Sequence, residues 1–232
     1  VLMYNTETFK EAPTSWKVVF EEMTLADGKS NKGRVQAYDG PIYIADAALY
    51  LSKTQPDLGI KDPYSLTAEQ LDAAADLLKQ QKENIGEYWS DYTKEVQAFE
   101  SGSTVIGTSW QVIANTIEAD GKVKIGTVLP KEGSTGWSDT WMLSSKAAHP
   151  NCMYKWMDYI ISPEANAQVA EYFGEAPSQT KSCDLTTEKT HCETYHATDA
   201  DYAAQIHYWT TPQKKCVDGS GDNCTSYDEW VT

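Results

Sequence analysis

Positive charge is scarce in this sequence. Nineteen Lys and Arg residues stand against 34 Asp and Glu among 232, a net charge of −15. A surface of that sign repels phosphate backbones and anionic lipid, so nucleic acid is not an expected partner, and long-range attraction favours cations. Plain solubility also accounts for such an excess. Long apolar runs are missing too. No stretch approaches the roughly 18 consecutive apolar residues of a membrane span. There is no signal-peptide pattern. The chain opens on Val1-Leu2-Met3-Tyr4, which reads as a strand already under way, and an upstream segment is expected. Catalytic motifs are absent as well: no Gly-x-Ser-x-Gly, His-Glu-x-x-His, Walker loop or Gly-x-Gly-x-x-Gly. None of the four histidines, at 149, 191, 196 and 207, adjoins a nucleophile motif. The chain is read as a non-enzyme without cofactor. It has no internal repeat and no low-complexity stretch.

What is present is an ordinary globular composition, 41% apolar and 23% charged, long enough for one large domain or two small lobes. Strand and helix patterns alternate, which implies an α/β architecture. Gly40 to Asp46 is β-prone and ends on an acid, with helix expected from Ala47 to Lys53. That would set Asp46 at a strand's carboxyl end, where open α/β sheets bind ligands; helix capping is its other reading. Thr67-Ala68-Glu69-Gln70 is a capping box, and apolar spacing carries a helix to Gln81. Strands are expected at Val105–Trp110 and Lys122–Leu129, with helix at Gln111–Glu118. Helices should open at His149-Pro150 and at Ser162-Pro163, the second stopping at Gly174. A last helix is expected from Asp199 to Tyr208.

Cys183 with Cys192, and Cys216 with Cys224, enclose short polar loops that cannot build a core, so both pairs are disulfide candidates. Cys152 is then free or paired upstream. Two disulfides imply an oxidising, extracytoplasmic compartment. Cys183, His191, Cys192 and His196 offer a competing metal reading, although the usual paired ligand spacing is missing.

Tryptophan beside carboxylate is the pattern that suggests ligand chemistry. Trp110 closes a buried strand, and Trp137 and Asp139 are two residues apart, on one side of an extended chain. Indole faces attract a cation and pack its methylenes, and a carboxylate takes charge-assisted hydrogen bonds. At roughly 0.5–2 kcal/mol per cation–π contact and about 1.5–3 per ionic hydrogen bond, two or three of each reach the roughly −8 kcal/mol of a micromolar site. Core aromatics beside a surface aspartate remain the plainer reading.

Gly102 to Trp110, Val128-Leu129-Pro130-Lys131-Glu132-Gly133 and Gly136-Trp137-Ser138-Asp139 together resemble the spermidine/putrescine-binding proteins of ABC transporters. Ser162 to Glu171 and Gly40 to Gly59 fit the same order. The resemblance implies a two-lobed, hinged periplasmic-binding fold of type II with its first lobe incomplete in this chain. Residues 1–129 would belong to the second lobe and 130–182 to the first after a hinge crossing. Residues 183–232 would be a Cys-stapled segment returning to the second. It implies an extracytoplasmic binding component, periplasmic or lipoprotein-anchored, working with ABC permease subunits on polyamines such as putrescine or spermidine. Another amine-bearing solute, such as an amino acid derivative or opine, is the alternative. Asp46, Trp110, Trp137 and Asp139 match family ligand positions, with Asp46 and Asp139 taking ammonium groups and the indoles sandwiching the aliphatic chain. Three positions depart: Leu49 replaces a glutamate, Glu175 a tyrosine and Thr210 a glutamine. Glu175 is expected to take over an ammonium.

Overall fold

A computed structural model describes all of residues 1–232. In chain order it has β1 (Leu2–Asn5), α1 (Lys17–Phe20), β2 (Val35–Tyr38), α2 (Tyr43–Thr54), α3 (Ala68–Gln81), β3 (Ile85–Trp89), α4 (Tyr92–Glu100), β4 (Ile106–Thr108), α5 (Gln111–Asp120), β5 (Ile125–Val128) and β6 (Ser134–Gly136). Then follow α6 (Pro150–Ile160), α7 (Pro163–Phe173), α8 (His191–Thr194), α9 (Ala200–Ala203), β7 (Ile206–Tyr208) and α10 (Tyr227–Trp230). The chain forms two compact units, Val1–Trp137 with Gln205–Thr232, and Ser138–Ala204.

The larger unit is built on a five-stranded sheet in the order β3-β2-β4-β1-β5. β2 runs parallel to β3 and β4, while β1 is antiparallel to both its neighbours. The carboxyl ends of β2, β3, β4 and β5 therefore share one edge with the amino end of β1. Side chains alternate across a strand, and β1 shows the result. Leu2 packs with Val18, Phe20, Val35, Ala47, Leu51 and Ile106 on one face, and Met3 with Trp89, Phe99, Ile113 and Ile117 on the other. Both are fully buried, so this interior strand is sandwiched between two layers of helix.

Local chemistry sets most helix ends as expected. Thr67 Oγ1 accepts from Gln70 N at the head of α3, and the Gln70 side chain accepts from Thr67 N. Pro163 opens α7, and Gly174 closes it in the left-handed conformation (φ 73°). Two expectations need correction. The β-prone run at Ile42-Tyr43-Ile44 is helical, and Asp46 lies in the first turn of α2 rather than at a strand end. The Ala-rich stretch that follows, and the burial of Tyr43, Ala45, Ala47 and Ala48 against the core, override local strand preference. The helix expected over 199–208 is a single turn, and Ile206–Tyr208 is a strand paired in parallel with Ser134–Gly136.

Both expected disulfides form, Cys183–Cys192 and Cys216–Cys224, and Cys152 is free and exposed. With its sulfurs bonded to each other, the Cys183/Cys192 pair cannot ligate a metal, which closes that reading. Closing loops this short should stabilise each by about 2–3 kcal/mol on a chain-entropy account. Urea unfolding of Cys216→Ser/Cys224→Ser is expected to show a loss of that order. Reductant should produce a comparable loss in the wild type and none from this bridge in the double variant.

In the smaller unit, Asn166 on α7 accepts from Ser178 N and from the Ser182 hydroxyl, fastening the loop after the helix. His191 Nε2 lies 2.9 Å from the Glu175 carbonyl oxygen. Large side chains stay exposed on this unit, including Trp141, Tyr154, Trp156 and Tyr159. No helix of the chain is long and apolar enough to cross a membrane.

Candidate functional site

The strand ends described above meet in a cavity of about 240 Å³, formed wholly within the larger unit. Tyr38 ends β2, Trp89 ends β3, and Thr108-Ser109-Trp110 close β4; all line it. Asp46 and Ile42 reach it from the start of α2, and Ser134 to Trp137 line it together with Trp16. The carboxyl edge of a mostly parallel sheet is where this architecture places ligands.

Four aromatic rings run in contact along the wall. Tyr38 meets Trp89 edge-on at 5.1 Å between ring centroids, Trp89 meets Trp110 at 5.3 Å, and Trp110 meets Trp137 at 4.9 Å. Trp89 is buried, with its Nε1 donating to the Thr108 carbonyl. Trp110 and Trp137 are 37% and 46% exposed, so indole surface remains open. Two rings enclosing a methylene chain would stand about 7–8 Å apart, twice an ordinary carbon contact. Here the two indoles touch each other, so the expected sandwich slot is closed.

Asp46 is the one carboxylate among the lining residues. The Thr135 hydroxyl donates to its Oδ1 at 2.8 Å. Part of the side chain opens to the cavity, yet burial dominates and pushes its pKa up to about 6; the Thr135 hydrogen bond acts the other way. Its place in the first turn of α2 also favours negative charge.

Thr135 was not singled out by the sequence. It sits two residues before Trp137 on the β6 side, so the alternation that matters joins Thr135 and Trp137, not Trp137 and Asp139. The strand ends at Gly136, and Asp139 belongs to the smaller unit. Glu175 belongs there too, just past the end of α7. Its pKa is raised, first by burial and then by the field of Asp139. Thr210 is exposed and does not line the cavity; its neighbour Trp209 packs edge-on against Tyr64 and Tyr227. Leu49 is buried on α2 and does not line the cavity either.

The Pro130-Lys131-Glu132-Gly133 string does structural work. Buried Glu132 accepts from the Ser15 hydroxyl at 2.6 Å and from Trp16 N at 3.1 Å, and Trp16 Nε1 donates to the Gly133 carbonyl. This fastens α1 to the start of β6. Gly133 has φ 86°, and a Cβ there would lie 2.5 Å from the Gln205 carbonyl oxygen. Gly133→Ala should therefore cost about 1–3 kcal/mol in urea unfolding, and should redden Trp16 emission as its cover loosens.

With this geometry established, comparison with known proteins is informative. A family model described as bacterial extracellular solute-binding protein matches residues 1–198. The chain belongs to this family. Its members are binding proteins rather than enzymes, and the family is extracytoplasmic. Over 68 residues the chain is 32% identical to the putrescine/agmatine-binding protein of Pseudomonas aeruginosa, covering 29% of this chain and 18% of that one. Over 118 residues it is 25% identical to the putrescine-binding periplasmic protein PotF of Escherichia coli, covering 48% and 31%. Among solved structures, a putative spermidine/putrescine ABC transporter protein from Listeria monocytogenes superposes with a TM-score of 0.64 at 18% identity, over 90% of this chain and 59% of that one. MotA of Agrobacterium tumefaciens B6, in complex with glucopine, gives 0.63 at 16% identity, over 90% and 62%. Such likenesses show the fold, a periplasmic-binding type II α/β architecture. The chain spans about three fifths of those structures, and the matches cover less than a third of either curated relative.

Proposed function

We propose that this chain is part of the substrate-binding component of an ABC importer for polyamine-like cations, working with permease subunits outside the cytoplasm, in the periplasm or anchored as a lipoprotein. The observation that carries the reading is Asp46: the one carboxylate in a cavity whose other side chains are aromatic, hydroxyl or aliphatic, at the sheet's carboxyl edge. Such a site takes an ammonium at the acid and methylenes or cation on the indoles of Trp110 and Trp137. Polyamine-binding relatives support the same ligand class. Asp139 and Glu175 supply a second acidic locus in their own unit, and Glu175 replaces the charge absent at Leu49. Thr210 has no support from the cavity's geometry as a ligand contact.

A specific observation favours a second reading, a solute with one amine and a neutral or acidic tail: the cavity presents one carboxylate, and MotA shares the fold with glucopine bound. Titration calorimetry of the full-length gene product against putrescine, spermidine, γ-aminobutyrate and glucopine separates the two. Tightest binding of a diamine or triamine supports the first. Tightest binding of γ-aminobutyrate or the opine replaces it with the second, and no binding to any of them refutes both. Glu175→Gln should weaken diamine binding; unchanged affinity for every ligand would remove Glu175 from the site.

A further inference from the structure

Behind the cavity floor lies a second carboxyl group that lines no cavity. Glu95 sits on α4 with Ala98 and Phe99, at the spacing that faces the core, and is wholly buried. Its Oε1 accepts from Gln36 Nε2 at 2.7 Å. Its Oε2 is buried and accepts no hydrogen bond. A buried carboxylate with one donor to share among its lone pairs is expensive. A buried carboxylic acid is not, because one oxygen becomes a donor.

The surroundings fit the acid. The Ser109 hydroxyl spends its hydrogen on the Trp110 carbonyl oxygen at 3.1 Å. That leaves Glu95 Oε2 without a donor, whereas a Ser109 hydroxyl turned to it would lower its pKa. Gln36 is committed on both sides. Its Oε1 accepts from the Thr104 hydroxyl, and its Nε2 also reaches the Thr108 carbonyl at 3.4 Å. That carbonyl takes Trp89 Nε1 as well. Gln36 can cross beneath β4 because residue 107 is glycine; a Cβ there would lie 2.1 Å from the Gln36 carbonyl oxygen. Glu95, Gln36, Thr104, Thr108 and Trp89 thus form one buried network at the end of β4, just before Trp110.

We propose that Glu95 is a positioning residue held as the neutral acid, accepting from the Gln36 amide that also reaches the Thr108 carbonyl, and so fixing the strand end that presents the Trp110 indole to the cavity. Burial supports this by pushing its pKa up to about 8. The groups acting against that are the Ser109 hydroxyl just past β4 and Gln36 of β2; no side chain of β3 or α5 contributes. The neutral acid also leaves Asp46 as the single anionic group at the floor, a consequence that rests on the cation-binding reading above.

Carbon-13 titration of the glutamate side-chain carboxyls in the wild-type chain tests the proposal without any ligand. One carboxyl, assigned by its loss in Glu95→Gln, should titrate near pH 8. A midpoint for that carboxyl in the ordinary range of about 4–5 would overturn the proposal. Tryptophan emission should change over the same pH interval in the wild type and stay flat in Glu95→Gln. Glu95→Leu, which fills the space without hydrogen bonds, should shift the emission at every pH, and Gln should restore it. Putrescine affinity should follow the same ranking, with Leu about tenfold weaker than wild type and Gln recovering most of the loss. Identical emission in the Leu and Gln variants would reduce Glu95 to a space-filler. If putrescine fails to bind while the carboxyl still titrates near 8, the cation reading fails and the Glu95 assignment stands.

Discussion

Asp46→Asn is expected to weaken binding of a diamine by about 30- to 1000-fold. Removing one partner of a hydrogen-bonded ion pair in a desolvated site costs about 2–4 kcal/mol. Asn keeps the shape and can still accept from Thr135, so the loss reports charge rather than packing. Wild-type binding should also depend on pH in a defined direction. The amine needs Asp46 ionised, and Asp46 in the free protein titrates at about 6. Affinity should be level above about pH 7 and fall as pH drops through 6, roughly tenfold per unit once well below it. Near pH 6, binding should release protons, since the bound ammonium draws the pKa down. Calorimetry in buffers of different ionisation enthalpy reads that release directly. A flat wild-type profile, or an Asn variant that binds as tightly, would remove Asp46 from the ligand's path.

Stability should change with pH through Glu95, by an amount almost as large. Its ordinary value is 4.5 and its value in the folded chain is about 8. Below about 4.5 both folded and unfolded chains hold the proton, and the contribution is complete. Between 4.5 and 8 only the folded chain holds it, so folding stability declines as pH rises; above 8 the decline is finished. The gap corresponds to about 5 kcal/mol as an upper bound. Other groups titrate too, so the informative quantity is the difference from Glu95→Gln, which cannot ionise. Urea unfolding at pH 5 and pH 8 should show the wild type losing several kcal/mol relative to the variant. Equal slopes with pH in the two proteins would place an ionised carboxylate in the core.

The parts of the fold that sequence reveals are those decided by neighbouring residues. Thr67 and Gln70 cap α3 reciprocally, and Pro163 and Gly174 bracket α7, because a helix end needs partners within a few positions. Cysteines nine and eight positions apart were similarly readable as staples. What sequence does not reveal is decided by distant residues. Ile206–Tyr208 becomes strand because Ser134–Gly136 offers it a ladder from across the chain. Asp46 moves from strand end to helix start because core packing, not local preference, fixes residues 43–48. At the site, Trp110 and Trp137 were marked by residue type and Asp46 as an acid closing a β-prone run, whereas Trp16, Tyr38 and Trp89 join them only through sheet order. Thr135 was hidden because a threonine between two glycines looks like a turn. Glu95 did carry a signal, an acid in line with Ala98 and Phe99 on the apolar side of its helix.

The pairing of β6 with β7 has a consequence for the order in which this molecule is made. The wall carrying Thr135 and Trp137 lies on the edge of a ladder whose other rail leaves the ribosome some seventy residues later, a delay of several seconds at ordinary rates of synthesis. Until then the nascent polypeptide holds the open sheet and its aromatic row without a finished recess. A species of that kind is a natural client for chaperones that escort unfolded exports. The recess is therefore complete only once residues 206–208 have been translated.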